Sequence, residues 1–440
     1  MKKLMILFPA ALAVTLLAGC AQDKGDGFTH VKFWHTMGQA NQEMLDRMIA
    51  SFEEANPDIK IEAYSQGGYD DIAKKLGDAI PAGTTPTMSF CYPDNVASYI
   101  KSGAVENMAS YVTNAEYGID TSDYVKEYWD EGTNYEEEGL YSVPYAKSTE
   151  VIFYNATVFK EKGYKVPTTW DEMWALCAQI QKDYSNVKYP LGYDSDSNLF
   201  ITMCEQQGIA YTTKEGADQA SHFTFNNDQA KAMVTTLKEK YDAKLLITKG
   251  SLPNNTYTST MFTNGELMMS IGSTGGTTYN KSLNFDIGVA PIPGSTNRHV
   301  ISQGPSICFF KRAKAAEKVA AWKFYQHITN AENSAKFAMA TGYEPVRNSS
   351  YNTPEFKGYM DEGTKTEEGY VCSANGGNLL AVAANCTKES YAGQYFSSDV
   401  FNGSDVARDA VGGIVANVLL GTKDIDTAFK DALTSCLFTA

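Results

Sequence analysis

The sequence Thr-Met-Ser-Phe-Cys-Tyr at residues 87–92 is the last strand-like run in a segment where strand and helix patterns alternate, and this segment indicates the fold class. Two earlier strand-like runs precede it, Val-Lys-Phe-Trp at 31–34 and Ile-Lys-Ile-Glu-Ala-Tyr at 59–64. Apolar residues recur at helical spacing between these runs, from Met44 to Phe52 and from Ile72 to Ile80, and a third helix is expected near 94–102. Strand, helix, strand, helix and strand in this order predict an α/β sheet with helices on both faces.

The same alternation returns later in the chain and predicts a second α/β lobe. Thr169 and Glu172 stand three residues apart and form a capping box at the start of one of its helices. The expected strands are 151–154, 267–271, 285–290 and 306–310, and the expected helices are 156–162, 170–184, 227–242, 314–328, 404–420 and 424–436.

Three segments are candidates for crossings between the two lobes, at 143–148, 288–294 and 341–346. Each has Pro or Gly beside a short extended stretch, as a hinge requires, although ordinary loops have the same composition. The expected lobes are 28–144 with 292–343, and 145–291 with 344–440.

Composition limits the classes of function. The chain has 440 residues, of which 43% are hydrophobic and 20% charged, enough for two globular cores. Its formal net charge of −15 argues against nucleic acid or an anionic bilayer as the main partner, because both reward clustered Lys and Arg. The 27 Tyr residues suit polar ligands, since each combines an apolar ring with a hydroxyl.

The amino terminus predicts export. Lys2 and Lys3 precede an apolar run that ends in Leu17-Ala18-Gly19-Cys20, which is similar to a bacterial lipobox. We expect a signal peptide over 1–19, lipidation of Cys20 and a tether over 20–27, with an ordinary signal peptide as the alternative. No later segment contains 18 uninterrupted apolar residues, so the lipid is the expected membrane anchor.

Seven cysteines remain after Cys20, and they show no metal-ligand spacing. Cys91 and Cys308 lie in apolar strand-like runs and are expected to be buried. Cys372 and Cys386 are near enough in sequence to pair, but spacing alone leaves the pairing open.

Enzyme motifs are absent from the sequence. It contains no nucleophile elbow, phosphate loop or zinc-protease motif, and its five His are scattered. A two-acid glycosidase stays open because acidic residues are abundant, but no carboxylate pair is singled out. Asp194, Asp196, Asn198 and Glu205 fit the spacing of a calcium loop, yet Leu199 replaces its glycine, so a capped helix is favoured.

The ordered combination of several motifs resembles the extracellular solute-binding proteins of bacterial ABC importers that take sugars and glycerol phosphate. The motifs are Phe-Trp-His-Thr-Met at 33–37, Phe-Glu-Glu-Ala-Asn-Pro-Asp-Ile-Lys-Ile at 52–61, Gly-Tyr-Asp-Asp at 68–71, Tyr-Asn at 154–155, Pro-Thr-Thr-Trp-Asp-Glu at 167–172 and Thr-Gly-Tyr-Glu-Pro-Val at 341–346. This resemblance implies a periplasmic-binding-protein fold, in which two α/β lobes joined by three hinge crossings hold the ligand between them.

The resemblance also implies ligand positions, taken from the binders of glycerol-3-phosphate and glycerophosphodiesters. Arg408 matches an arginine that holds phosphate, and Asp94 is offset by one residue from their glutamate. Tyr193 stands where they have tryptophans, which favours a plain saccharide. The full set of expected ligand positions is Trp34, His35, Tyr69, Asp94, Ser148, Tyr193, Ser273, Thr274, Gly304, Tyr343 and Arg408.

The resulting expectation is a monomeric, lipid-anchored receptor without a cofactor that hands a sugar to an ABC permease. The first alternative is the same role for glycerol-3-phosphate or a glycerophosphodiester. An alternative of another class is an exported glycan-active enzyme, which would degrade an oligosaccharide that a receptor leaves intact.

Overall fold

The computed structural model describes residues 26–367 and 369–439. Its strands are β1 (Thr29–His35), β2 (Ile59–Ser65), β3 (Met88–Cys91), β4 (Val143–Pro144), β5 (Glu150–Asn155), β6 (Tyr189–Tyr193), β7 (Leu246–Thr248), β8 (Leu267–Ser273), β9 (Ile287–Pro291), β10 (Val300–Ile301), β11 (Ser306–Phe309), β12 (Tyr370–Cys372) and β13 (Tyr395–Phe396).

Sixteen α-helices lie in the described ranges. They are α1 (Gln39–Ala55), α2 (Tyr69–Ala82), α3 (Pro93–Lys101), α4 (Ala109–Val112), α5 (Lys126–Asp130), α6 (Ala156–Lys162), α7 (Trp170–Asp183), α8 (Asp196–Gln207), α9 (Asp228–Asp242), α10 (Thr258–Thr263), α11 (Ala315–Ile328), α12 (Ala331–Thr341), α13 (Pro354–Asp361), α14 (Leu379–Ser390), α15 (Ser404–Leu420) and α16 (Ile425–Thr439).

The first sheet has the order β2-β1-β3-β11-β4. Strand β1 runs parallel to β2 and β3, and β11 is antiparallel to β3 and β4. The core beside it is aromatic: Phe33 contacts Phe90 edge-on, and Phe52 of α1 meets Phe324 of α11 at a ring distance of 5.2 Å. These contacts fix α1 and α11 against the sheet.

The second sheet has the order β12-β9-β5-β8-β6-β7. Strand β5 lies between β8 and β9 and is antiparallel to both, while β6 runs parallel to β7 and β8. Helix α7 begins with the expected capping box, because Thr169 Oγ1 accepts from Glu172 N at 3.3 Å. Two mixed α/β sheets with separate cores confirm the predicted fold class.

Three chain segments lie side by side between the two cores. Ser148 and Gln303 exchange both backbone hydrogen bonds, at 2.7 and 2.8 Å, and Glu344 N donates to Lys147 O at 2.6 Å. The crossing at 143–148 therefore falls where the sequence predicts it, because β4 belongs to the first sheet and β5 to the second. The segment 341–346 lies beside it through Glu344, but Val346 still packs in the first core, so this crossing stays a prediction. The crossing predicted at 288–294 is wrong, since Ile287–Pro291 is an inner strand of the second sheet and the chain crosses at 302–305 instead.

Core membership differs from the predicted lobe boundaries at two places. Ile292, Val300 and Ile301 belong to the core of the second sheet, although the segment from 292 was assigned to the first lobe. Val346 and Val400 belong to the first core, although both were assigned to the second lobe. The exact domain boundaries stay a prediction.

The signal peptide, the lipobox and Cys20 lie outside the described residues. Among the described residues, no helix combines the length and apolar character needed to cross a bilayer. Cys91 and Cys308 are buried as expected, and Cys372 and Cys386 are both free thiols in the structure.

Candidate functional site

Two connected cavities lie between the two cores. The larger has a volume of about 750 Å³ and the smaller about 360 Å³. Tyr92, Ser195, Lys249 and Gln303 line both, so the cavities form one continuous cleft. Tyr92 comes from the first core's side, Ser195 and Lys249 from the second, and Gln303 from a crossing segment. A solute in the cleft would therefore touch both halves of the molecule and the hinge.

Tyrosine rings form one wall of the larger cavity. Tyr69, the first residue of α2, lies against Tyr92 with ring centroids 4.5 Å apart. Tyr343 approaches from the third crossing, and a Cβ atom at Gly275 would lie 3.0 Å from its ring carbon Cζ. Gly275 thus admits the tyrosine ring because it has no side chain. Such faces stack on the C–H groups of a sugar while their hydroxyls bind its polar groups.

A buried carboxylate stands in the opposite wall. Glu150, the first residue of β5, is 1% exposed, yet it lines the larger cavity. Tyr193 Oη donates to Glu150 Oε2 at 2.6 Å, and Asn198 Nδ2 donates to Oε1 at 2.9 Å. Burial raises the pKa of Glu150 to about 7, and the two donors partly oppose that rise. Each oxygen retains a lone pair for a solute hydroxyl.

Charged groups concentrate in the smaller cavity. Asp94 in the first turn of α3 faces Arg408 in the first turns of α15, and both line this cavity with Lys249. Burial raises the pKa of Asp94 to about 6, while the positive charge of Arg408 counteracts this rise. The smaller cavity therefore offers two cations to a polar solute beside four acidic side chains, Asp70, Asp94, Glu131 and Asp399.

Seven of the eleven expected ligand positions line the cleft. Tyr69, Ser148, Ser273 and Tyr343 line the larger cavity, and Asp94, Gly304 and Arg408 line the smaller one. Their direct contact with a solute remains a prediction.

The other four expected positions are not among the residues that line these two cavities. His35 is fully buried among Phe33 and Phe90, and burial lowers its pKa to about 4. Trp34 faces the first core and is half-buried there. These two residues end a core strand rather than face the cleft.

Tyr193 and Thr274 contribute to the cleft indirectly. Tyr193 is fully buried and holds Glu150, so it lies one layer behind the wall. Thr274 is 2% exposed, and its Oγ1 accepts from Thr149 N at 3.3 Å. This bond anchors the start of β5 to the turn after β8.

Sequence reasoning missed several groups that face the cleft, namely Tyr92, Glu150, Asn198, Lys249 and Gln303. The sequence did carry one signal for Glu150. This charged residue directly precedes the apolar run 151–154, so it is expected at the start of a buried strand, where a charge needs polar partners. Lys249 begins a short 3₁₀ helix and Gln303 lies in a loop, and neither stretch of sequence carries a comparable signal.

Most of the residues that fit the calcium-loop spacing form a helix, as the sequence favours. Asp196 begins α8, and Ser195 caps it by accepting from Asn198 N at 3.2 Å. The cap is therefore Ser195. Within 26–367 and 369–439, no group of three or more His, Cys, Asp or Glu is arranged to hold a metal ion.

The chain is similar to known proteins over most of its length. The sn-glycerol-3-phosphate-binding periplasmic protein UgpB of Salmonella typhimurium is 25% identical over 352 residues, covering 76% of this chain and 78% of that protein. UgpB of Escherichia coli K12 is 25% identical over 375 residues, covering 80% and 82%.

Solved structures share the fold. UgpB from Mycobacterium tuberculosis in complex with glycerophosphocholine superposes with a TM-score of 0.74 at 21% identity, covering 94% of this chain and 99% of that one. An ABC substrate-binding protein from Listeria monocytogenes in complex with cycloalternan gives a TM-score of 0.72 at 20% identity, covering 94% and 99%.

The profile of one protein family matches residues 47–364, which include most of the first sheet, all three crossings and five strands of the second sheet. With the two sheets, the three crossings and the cleft between them, this match identifies the chain as a member of the bacterial extracellular solute-binding proteins.

Proposed function

We propose that this chain is the solute-binding component of an ABC importer and that its cleft captures a neutral sugar. One observation carries the choice of a sugar. In the larger cavity the rings of Tyr69, Tyr92 and Tyr343 lie across from the buried acceptor Glu150. A sugar ring can stack its apolar C–H faces on the tyrosine rings and donate hydrogen bonds from its hydroxyls to Glu150.

Capture follows from the position of the walls. Tyr69 and Tyr92 lie on one side of the cleft, and Glu150 and Ser273 lie on the other. Contacts with both sides are complete only when the lobes close around the solute, so binding favours the closed form. The permease then receives the closed form. A wrong solute leaves buried polar groups unpaired, at a cost of about 1–3 kcal/mol for each group.

A second candidate is a phosphate ester, in line with the expectation from the motifs. Arg408 and Lys249 line the smaller cavity, where a phosphate would accept hydrogen bonds from both. Relatives named as sn-glycerol-3-phosphate-binding proteins support this candidate.

A thermal-shift panel on residues 21–440 tests both candidates, with maltose, other mono- and oligosaccharides, sn-glycerol-3-phosphate and glycerophosphocholine. A ligand at about 100 times its Kd adds about 2.7 kcal/mol to the free energy of unfolding. A rise with sugars supports sugar capture. A rise only with phosphate esters, lost in Arg408→Ala, supports the second candidate, and no rise with either class contradicts the proposal.

We further propose that Cys20 carries a lipid that holds the receptor at the membrane surface. The support is the charged start, the short apolar run and Leu-Ala-Gly-Cys at 17–20. Fractionation of cells that express the full chain tests it: wild type should sediment with membranes, and Cys20→Ala should not. Membrane retention of Cys20→Ala would contradict the anchor.

A further inference from the structure

Asn198 occupies the centre of a buried hydrogen-bond network between the two cavities. Its side chain belongs to α8 and is 3% exposed. Asn198 Nδ2 donates to Glu150 Oε1 at 2.9 Å and to Gln303 Oε1 at 2.7 Å. Asn198 Oδ1 accepts from Gln303 Nε2 at 3.1 Å and from the guanidinium of Arg408. The amide therefore uses two donors and two acceptor positions, its full capacity.

The charges on either side fix the orientation of this amide. A flipped Asn198 would direct its NH₂ group at the guanidinium of Arg408 and its oxygen at the carboxylate of Glu150. Both contacts would then be repulsive. Gln303 holds the amide from a third direction and is itself paired with Ser148 through the backbone of the crossings. The network thus connects the wall of each cavity to the hinge.

Asn198 also keeps a cation and a carboxylate apart. Arg408 lines the smaller cavity, and Glu150 lines the larger one. A direct pair between them would satisfy each charge internally and leave less of either for a solute. With an amide between them, the guanidinium retains donors for one part of a solute, and the carboxylate retains acceptors for another.

We propose that Asn198 is a positioning residue that determines specificity. It holds Arg408 in one cavity and Glu150 in the other so that both can contact the same solute. It selects for a solute that presents an acceptor oxygen to Arg408 and a hydroxyl donor to Glu150 at the same time. This inference rests on the proposed function, because it assumes that the cleft holds the solute.

The first test needs no ligand. The pKa of Glu150 is measured by NMR of protein labelled with ¹³C at its Glu carboxyl groups. The signal of Glu150 is assigned as the one that disappears in Glu150→Gln. In Asn198→Asp a donor to Glu150 becomes a second negative charge, which should raise the pKa of Glu150 by about 1 or more. Asn385→Asp is the matched control, since Asn385 is also buried but bonds to Met360 O and Ala381 O in another cluster. An unchanged Glu150 titration in Asn198→Asp would overturn the inference.

The second test is binding of maltose, sn-glycerol-3-phosphate and glycerophosphocholine by calorimetry across the titration range of Glu150. In Asn198→Asp the midpoint of the affinity–pH profile should move upward, and the ranking of the three probes should change relative to wild type. Asn385→Asp should lower the melting temperature but leave the midpoint of the affinity–pH profile and the ranking of the probes unchanged. A probe ranking and midpoint identical to those of wild type would overturn the inference. A shifted Glu150 titration with no probe bound by wild type would instead contradict the proposed function.

Discussion

Gly304 faces the carbonyl oxygen of Ala146 so closely that a Cβ atom on Gly304 would lie 2.4 Å from that oxygen. The φ angle of Gly304 is +107°, a conformation that residues with a side chain rarely adopt. Both residues belong to crossing segments, so the hinge is built around a position that only glycine fills. Gly304 also lines the smaller cavity, where its expected role was ligand contact.

Gly304→Ala should therefore destabilise the crossings. Strain and the contact with Ala146 predict a loss of about 1–3 kcal/mol in the free energy of unfolding. Urea unfolding measures this loss. Gly413→Ala is the control, because Gly413 lies within α15 with open space around it, and it should stabilise the chain by about 0.5–1 kcal/mol. Equal stability of the two variants would contradict the assigned role of Gly304.

Glu150 should make the chain less stable as the pH rises. Its pKa is about 7 in the folded chain against an ordinary value of 4.5, so the folded chain binds an extra proton between these two pH values. The free energy of unfolding then falls on the order of 3 kcal/mol as the pH rises through this window. Asp94, with a pKa raised to about 6, acts in the same direction.

Glu150→Gln should reduce that slope in urea unfolding followed between about pH 5 and pH 8. Glu138→Gln is the control, because Glu138 is an exposed carboxylate, and it should leave the slope unchanged. A slope in Glu150→Gln equal to that of wild type would show that Glu150 ionises normally in the folded chain.

His35 should have the opposite effect. Burial lowers its pKa to about 4 from the ordinary value of 6.5, so the unfolded chain binds an extra proton between these two pH values. Its contribution to stability, on the order of 3 kcal/mol, is present above about pH 6.5 and is lost as the pH falls toward 4.

His35→Gln should lose less stability than wild type over this acid window, whatever its stability at neutral pH. Circular dichroism during urea unfolding measures the two slopes. His299→Gln serves as the control because that ring is partly exposed and lies at the surface. If His35→Gln and wild type lose stability in parallel, the ring of His35 is solvated and the burial argument fails.

The loop at 134–136 should hold the closed form together. Lys214 Nζ donates to Asn134 Oδ1 at 2.6 Å, and Asn402 N donates to Glu136 Oε2 at 3.2 Å, so both bonds join the two halves. Asn134→Ala and Glu136→Ala should each weaken solute binding by about 2- to 10-fold, mainly through faster dissociation. Stopped-flow binding and small-angle scattering report the dissociation rate and the degree of opening.

Glu138→Ala changes an exposed carboxylate two residues after this loop and should alter neither the dissociation rate nor the degree of opening. Wild-type dissociation rates in both Asn134→Ala and Glu136→Ala would show that these bonds do not hold the closed state.

The fold could be predicted where apolar residues recur at regular spacing because one face of the helix or strand is buried. Helix α15 was expected at 404–420 and is observed as Ser404–Leu420, and helix α6 was expected at 156–162 and is observed as Ala156–Lys162. Short strands such as β7 and β12 were missed, since three residues do not display a period. The second crossing was misplaced because Pro291 and Pro293 resemble a hinge in composition, while Pro291 ends a strand.

The candidate site was predictable only in part. Tyr69, Tyr343 and Arg408 line the cleft as the family motifs imply. Asn198 drew attention only as a position in a calcium pattern, because its partners Glu150, Gln303 and Arg408 are 48, 105 and 210 residues away in the chain.

The two α/β sheets, the family and the acidic, tyrosine-rich composition can be read from the sequence alone, because local periodicity and ordered motifs are properties of neighbouring residues. Which polar groups meet in the cleft depends on how distant segments pack together. Glu150 and His35 both end up buried, yet one faces the cavity and the other lies in a core. Burial and distant charges set their ionisation, and these depend on residues far apart in the chain.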